Sequence, residues 1–213
     1  MRFDEVLARL ATLPDELPPP AESLMPVIVG GPGRRPPRES PAGRSGRAAA
    51  VLVLLYPGPD RETRVVLIER PTYEGHHSGE VSFPGGKSEP EDADLVATAL
   101  REATEEVGLR PDQAGIRVVG QLERFWIPVS DFQVTPIVAV ADRRPHLVPQ
   151  ASEVARILEP SLARFLPAAP IEVVERTIGT WPLRYGHYEV DGLSVWGATA
   201  RVLSQLGAVL VAD

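Results

Sequence analysis

The chain has 213 residues, of which 43% are hydrophobic and 24% are charged, an ordinary composition for a globular protein. Its 29 acidic and 22 basic residues give a formal net charge of -7, which argues against a general nucleic-acid or anionic-membrane binder. The chain contains no cysteine, which excludes disulfides, thiolate metal sites and cysteine nucleophiles, so any metal must be held by oxygen or histidine. The N-terminus lacks the apolar core of a signal peptide, and the longest apolar stretch, residues 48–56, is too short to span a bilayer. We therefore expect a cytoplasmic protein.

The chain divides near residue 47 into an N-terminal extension and a main domain. Residues 3–12 have the pattern of a short helix, and a proline-rich segment ends it. Residues 30–47 are rich in Pro, Arg and Gly and have almost no apolar side chains, which predicts a mobile basic linker. A clamp for anionic ligands is the functional alternative for these arginines. We expect residues 1–47 to form this extension and residues 48–213 to form one main domain.

The main domain mixes predicted strands and helices. Two aliphatic runs around a turn cluster predict a hairpin, and later runs predict further strands, at residues 48–56, 63–70, 117–126, 132–141, 171–178, 187–190 and 193–196. Helical patterns cover residues 93–107, 152–166 and 196–207, and Gly207 is expected just past the end of the last of these helices. This order of elements predicts an α/β fold, an α/β/α sandwich around a mixed sheet.

The helix at residues 93–107 carries its acidic residues at the unfavourable end. Glu102, Glu105 and Glu106 are spaced i, i+3, i+4, so their side chains are neighbours, and they lie near the negative end of the helix dipole. Repulsion costs roughly 0.2–0.5 kcal/mol per like-charged pair, and the dipole adds about 0.3–1 kcal/mol. Gly108 is the expected C-cap, and Asp92 is a candidate N-cap.

A divalent cation would reverse both unfavourable effects. Mg²⁺ prefers a few carboxylates and keeps waters and phosphate oxygens in its shell. A solvated acidic face, paired with nearby arginines, is the structural alternative. The preceding loop favours the functional interpretation, because Gly85 and Gly86 allow a tight turn and a close backbone approach to a ligand.

The residues from Gly86 to Leu109 resemble the signature of the Nudix hydrolase superfamily, Gly-x5-Glu-x7-Arg-Glu-aliphatic-x-Glu-Glu-x-Gly-aliphatic. The segment Arg101-Glu102-Ala103-Thr104-Glu105-Glu106-Val107-Gly108-Leu109 supplies its second half. The first acid is Asp92 instead of Glu, and the spacer from Asp92 to Arg101 is one residue longer than the signature.

The longer spacer is similar to the branch of this superfamily that hydrolyses coenzyme A. The upstream signature of that branch is Leu-Leu-Thr-x-Arg-Ser/Ala-x3-Arg-x3-Gly-x3-Phe-Pro-Gly-Gly. The matching positions are Arg70, Gly79, Phe83, Pro84, Gly85 and Gly86, and the departures are Ile68, Pro71 and Gly75. Residues 125–139 and 195–203 also resemble this branch.

The resemblance implies Mg²⁺- or Mn²⁺-dependent hydrolysis of a nucleoside diphosphate derivative, with coenzyme A as the first choice of substrate. The alternatives are other substrates such as dinucleotides, nucleotide sugars or modified triphosphates, and a Nudix module that senses a nucleotide without cleaving it. Expected metal ligands are Glu102, Glu105, Glu106 and the carbonyl of Gly86. Expected catalytic residues are Glu102, Glu105, Arg101 and Glu153, and expected substrate-binding residues are Arg70, Gly85 and Lys87.

Two roles within this interpretation have alternatives. Glu102 is the preferred general base and Glu153 the second candidate, although Glu153 could also be a dipole-favoured acid at a helix start. Arg101 is expected to orient a glutamate instead of making a surface ion pair.

Other polar and aromatic residues are weaker candidates. His76 and His77 could bind phosphate or adenine, although a polar loop is the more frequent role of such a pair. Phe125 and Trp126 could stack on a base, although core packing is favoured for aromatics flanked by strands. The expected partner is a small nucleotide substrate, a homodimer is one possible assembly, and neither a membrane nor nucleic acid is expected.

Overall fold

The computed structural model describes residues 1–30, 46–72, 79–128, 130–178 and 181–212. The predicted linker lies largely outside these residues, and so do Gly75, His76 and His77. The described chain forms helices α1 (Phe3–Leu10), α2 (Leu95–Val107), α3 (Pro111–Ala114) and α4 (Gly197–Val211), with 3-10 turns at Glu22–Leu24 and Leu162–Phe165. None of these helices combines the length and the apolarity needed to cross a membrane.

The strands in the described residues form three sheets. They are β1 (Val27–Ile28), β2 (Arg47–Pro57), β3 (Thr63–Val65), β4 (Leu67–Glu69), β5 (Val81–Ser82), β6 (Gly85–Lys87), β7 (Ile116–Gln121), β8 (Phe125–Ile127), β9 (Phe132–Ala141), β10 (Arg156–Leu158), β11 (Glu172–Ile178), β12 (Trp181–Val190) and β13 (Leu193–Val195). The largest sheet has the order β3-β2-β9-β7, with β6 paired to β2 and β8 paired to β9. Its central pair, β2 and β9, is parallel and the other pairs are antiparallel, so the sheet is mixed as predicted.

Helices cover both faces of this mixed sheet. On one face, Ala99, Ala103 and Val107 of α2 pack in one cluster with Leu52 of β2 and Ile137 of β9. On the other face, alternate residues of the same two strands share a second cluster with α1 and α4, which includes Val53, Val138, Val6, Leu206 and Leu210. Since alternate residues of a strand point to opposite faces, the two long strands supply both clusters. The α/β/α sandwich predicted from the sequence is therefore confirmed.

The first 30 residues pack against this same core. Phe3, Val6 and Leu10 of α1 and Leu24 of the 3-10 turn are buried. The strand β1 pairs with β12, and the N–H of Phe3 donates to the carbonyl of Arg61 over 3.1 Å.

The three-stranded sheet β10-β4-β5 contains a segment whose secondary structure was predicted wrongly. Residues 152–166 were expected to form a helix, and this prediction is wrong, because residues 156–158 form β10 and pair with β4. Pro160, two residues after β10, has no N–H for a helical hydrogen bond, while its carbonyl accepts from the N–H of Val65. The second strand of the predicted hairpin, residues 63–70, also divides: β3 pairs with β2, and β4 pairs with β5 and β10.

The last helix extends beyond its predicted end. Gly207 was expected past the C-terminus of the helix, but α4 continues to Val211. A Cβ atom at Gly207 would lie 2.3 Å from the carbonyl oxygen of Phe165. The glycine therefore permits a close crossing of α4 over that backbone instead of ending the helix.

Candidate functional site

The acidic helix α2 has well-defined ends. The side chain of Asp94 caps its N-terminus by accepting from the N–H of Ala97 over 2.8 Å. The C-cap is Gly108, as predicted, with a left-handed φ of 62°. The prediction that Asp92 caps the N-terminus is wrong, because the helix begins two residues later than that cap requires.

Asp92 instead forms a two-point ion pair with Arg101. Its two carboxylate oxygens accept from Nε and Nη2 of Arg101 over 2.9 and 3.1 Å. Asp92 also accepts from the N–H of Glu89 and from the hydroxyl of Thr98. The hydrogen bonds from Arg101 hold the pKa of Asp92 well below its usual range, and they raise the pKa of Arg101 in turn. The guanidinium is therefore fixed in one orientation.

The remaining donors of Arg101 point at two of the three predicted acids. Nη1 lies 3.1 Å from Oε1 of Glu102 and 3.1 Å from Oε2 of Glu105. Nη2 also donates to the backbone carbonyl of Lys87 over 3.0 Å, while the side chain of Lys87 is exposed. Arg101 therefore links the loop after the glycines to the acidic helix and reduces the repulsion between its two carboxylates.

Glu106 occupies a different environment, because only 2% of it is exposed. One carboxylate oxygen accepts from the N–H of Gly85 over 2.8 Å, and the other lies 3.9 Å from Nη2 of Arg70. Burial raises the pKa of Glu106 to about 7 in spite of these contacts. The N–H of Gly85, a group expected to face substrate, is thus directed at Glu106.

Gly85 and Gly86, predicted to form a tight turn, instead begin strand β6, and they bring backbone close to the acids. Gly85 has a φ of 152°, and a Cβ there would lie 2.4 Å from the carbonyl oxygen of Ala50. At Gly86 a Cβ would lie 2.6 Å from the carboxyl carbon of Glu102. Gly85 therefore allows β6 to pack on β2, and Gly86 leaves room for the Glu102 carboxylate.

Glu153 faces the same carboxylates from a separate segment. Its charge raises the pKa of both Glu102 and Glu106, although burial is the larger cause for each. The N–H of Gln150 donates to the carbonyl of Glu106 over 2.8 Å, and the N–H of Glu153 donates to the carbonyl of Gln150. Glu153 lies in a turn, so the alternative that it is a helix-start acid is wrong.

The donor set consists of carboxylate oxygens and suits a hard divalent cation. Burial and mutual repulsion raise the pKa of Glu102 and Glu106. A divalent cation bound to these carboxylates would favour their charged forms. Within the described ranges, no three His, Asp or Glu side chains form a cluster that could hold a metal ion. Glu102 is directed at Arg101, and Glu106 is directed at Gly85. The fold and this site define an α/β protein with an acidic centre between α2 and the two glycines of β6.

Other predicted candidates lie apart from this centre. Phe125 is buried in the core, as expected, and Arg201 lies 5.0 Å from its ring centroid. The indole N–H of Trp126 donates to Asp131 over 2.9 Å. The ion pair between Asp92 and Arg101 was not predicted from the sequence. The position of Asp92 as the first acid of the signature was the feature that could have indicated it.

Comparisons with known proteins identify the class. The model of the NUDIX domain family matches residues 46–161. The uncharacterized Nudix hydrolase NudL of Salmonella paratyphi B is 37% identical over 167 residues, which cover 75% of this chain and 81% of that protein. The NudL protein of Salmonella newport gives the same values. Among solved structures, the Nudix hydrolase RenU of M. smegmatis is 22% identical with a TM-score of 0.47, covering 65% of this chain and 80% of that chain.

The match to the domain family spans more than half of the chain, and the relatives exceed a third in identity. The chain therefore belongs to the Nudix hydrolases.

Proposed function

We propose that this protein hydrolyses the diphosphate bond of coenzyme A or its derivatives in the presence of Mg²⁺ or Mn²⁺. The products are a phosphopantetheine and adenosine 3′,5′-bisphosphate. The observation that carries this proposal is the contact of two acids of α2 with the glycines of β6. Glu106 accepts from the N–H of Gly85, Glu102 lies against Gly86, and Arg70 lies beside Glu106. The upstream sequence from Arg70 to Gly86 supports coenzyme A as the substrate.

The proposed metal ligands are the carboxylates of Glu102, Glu105 and Glu106 and the backbone carbonyl of Gly86. A bound Mg²⁺ would neutralise diphosphate charge and lower the pKa of a bound water. For its part, the chain supplies oxygen donors that range from the buried Glu106 to the exposed Glu105. Glu106 has a pKa of about 7, so it must lose its proton before it can bind the metal.

Arg101 positions the acids in this proposal. Its two-point pair with Asp92 fixes the guanidinium, and the guanidinium in turn contacts Glu102 and Glu105. A lysine at this position would be a single-point donor and would lose the paired geometry. Arg101 thus acts through the carboxylates and has no need to touch the substrate.

The general base is assigned to Glu102, with Glu153 as the second candidate. Glu102 is supported by its place beside Gly86 and by its raised pKa, which results mainly from burial. Glu153 is supported by its charge coupling to Glu102 and by its exposure, which leaves it accessible to water. Either carboxylate would take the proton of the attacking water.

Arg70 is the proposed phosphate contact. Its guanidinium is partly exposed, and Nη2 lies 3.9 Å from Oε1 of Glu106, a loose contact that leaves donors for a substrate oxygen. Lys87 has an exposed side chain next to the glycines and is a second, weaker candidate for the diphosphate.

Product identification tests the proposal. The purified protein is incubated with coenzyme A and Mg²⁺, and the products are separated and identified by mass. The two expected products should appear, and EDTA or Glu102→Gln should abolish them.

A substrate panel separates the alternatives. Dinucleotides, nucleotide sugars and modified triphosphates are compared with coenzyme A by kcat/KM. Faster hydrolysis of one of these would assign a Nudix pyrophosphatase of other specificity. Saturable binding of coenzyme A without turnover in either metal would assign a sensing module.

A further inference from the structure

An aromatic pair at the start of α4 has no role in the chemistry proposed above. The indole of Trp196, at the start of α4, packs on the ring of Tyr185 in β12. The ring centroids are 4.7 Å apart and the planes are inclined by 33°. Tyr185 is 3% exposed, whereas Trp196 is partly exposed, so Tyr185 supports the indole from the protein side.

Contacts within the described chain connect this pair to Arg70. The hydroxyl of Thr199, three residues after Trp196, donates to the carbonyl of Val81 over 2.9 Å. Val81 lies opposite Glu69 in the pairing of β5 with β4, and adjacent strands are about 5 Å apart. The N–H of Arg70 donates to the carbonyl of Glu80 over 3.0 Å. The aromatic pair is therefore separated from the proposed phosphate contact by little more than β5.

Charged groups at the pair agree with this position. Burial raises the pKa of Tyr185, Arg176 lowers it and Glu80 raises it. Glu80, whose carbonyl accepts from the N–H of Arg70, is thus coupled electrostatically to Tyr185.

The chemistry of the pair selects one part of a nucleotide. A flat indole with a rigid second ring behind it suits a planar heteroaromatic group, and it offers no specific benefit to a flexible aliphatic arm. Stacking of a base on an aromatic side chain is tolerant of base identity and contributes substantially to binding.

We propose that Trp196, supported by Tyr185, stacks on the base of the nucleotide whose diphosphate lies at the acidic centre. This inference rests on the proposed function for the place of the diphosphate. It makes Trp196 a determinant of affinity for the nucleoside part of the substrate.

Binding measured without turnover tests the inference. Calorimetric titration with ADP is carried out in EDTA, for the intact protein and for Trp196→Ala and Trp196→Phe. Inorganic pyrophosphate is titrated as the probe without a base. We expect Trp196→Ala to weaken ADP binding about tenfold or more and to leave pyrophosphate binding unchanged, as loss of one stacking partner requires. Trp196→Phe should retain most of the affinity.

Trp181→Ala is the matched control, because Trp181 lies on the same strand as Tyr185 but is 58% exposed at its far end. It should bind ADP as the intact protein does. Equal ADP affinity in Trp196→Ala, an equal loss for pyrophosphate, or no ADP binding by the intact protein would overturn the inference. Trp196-dependent ADP binding in a protein that does not cleave coenzyme A would overturn the proposed reaction alone.

Discussion

At the scale of single residues, the three glutamates of α2 have three different environments. Glu105 is exposed, Glu102 is partly buried against Gly86, and Glu106 is buried with a hydrogen bond from Gly85. The unfavourable charge at the end of the helix is thus maintained by contacts with Arg101 of the same helix and with the two glycines of β6. The sequence predicted that the acids are neighbours, but it could not rank their burial.

The raised pKa of Glu106 makes a prediction about stability. Its folded-state pKa of about 7 exceeds the ordinary 4.5, so between these pH values the folded protein holds a proton that the unfolded chain has lost. The free energy of unfolding without metal should therefore fall as pH rises through this window, by roughly 3 kcal/mol in total. Glu106→Gln should remove this fall and be the more stable protein at pH 8. Urea unfolding in EDTA at several pH values measures the difference.

Glu105→Gln provides the control for this experiment, because it removes a carboxylate from the same helix at an exposed position. It should follow the pH profile of the unaltered protein. Retention of the full fall with pH in Glu106→Gln would assign the effect to other groups.

The pair between Asp92 and Arg101 makes a prediction about turnover. Arg101→Lys should reduce kcat for coenzyme A at least tenfold, since lysine cannot form the two-point contact that directs the guanidinium at Glu102. Asp92→Asn should reduce kcat for the same reason. In the double variant the losses should be strongly non-additive, because both changes remove one interaction. Steady-state kinetics measures all three variants, and additive losses would contradict the shared role.

At the scale of elements, the strand β6 and the helix α2 meet through two adjacent glycines with different neighbours. The Cβ position of Gly85 is occupied by the backbone of β2, whereas that of Gly86 is occupied by the flexible carboxylate of Glu102. Backbone cannot move aside, but a side-chain end can. The two positions therefore separate the effect on folding from the effect on chemistry.

Gly85→Ala should accordingly affect the free energy of unfolding, whereas Gly86→Ala should affect kcat. Gly85→Ala should lower the free energy of unfolding by about 3 kcal/mol, because it combines a backbone clash with a φ that alanine rarely adopts. Gly86→Ala should unfold nearly as the unaltered protein does and lose at least tenfold in kcat, because Glu102 must move. Urea unfolding and hydrolysis of coenzyme A measure the two effects. Similar stability losses in both variants would contradict the assignment.

At the scale of the whole molecule, the first 30 residues pack on the same core as α4 and the mixed sheet. Leu10 is 2% exposed in the cluster that also contains Leu206 and Leu210. Arg9 donates to the carbonyl of Ala212, so the two ends of the described chain meet. We propose that the folded unit includes residues 1–30 together with the domain from residue 46 onward.

Leu10→Ala tests this extent of the folded unit. It should cost about 2–5 kcal/mol in the free energy of unfolding, as for a buried leucine in a core. Leu7→Ala, at a partly exposed position of the same helix, should cost less. A single cooperative transition, shifted to lower denaturant, is expected in both variants. An unchanged transition in Leu10→Ala would place α1 outside the cooperative unit.

The sequence by itself determined the fold class, the strand at residues 132–141, the C-cap at Gly108 and the family motif, because each depends on periodicity or on residues close along the chain. Only the tertiary structure decided that residues 156–158 form a strand, that Gly207 lies within α4, and that Glu106 is buried. These features depend on partners far along the chain: β4 for the strand, the Phe165 carbonyl for the glycine, and Gly85 for the glutamate. Local patterns record which conformation a segment prefers, whereas burial and close approach are set by the segment that packs against it.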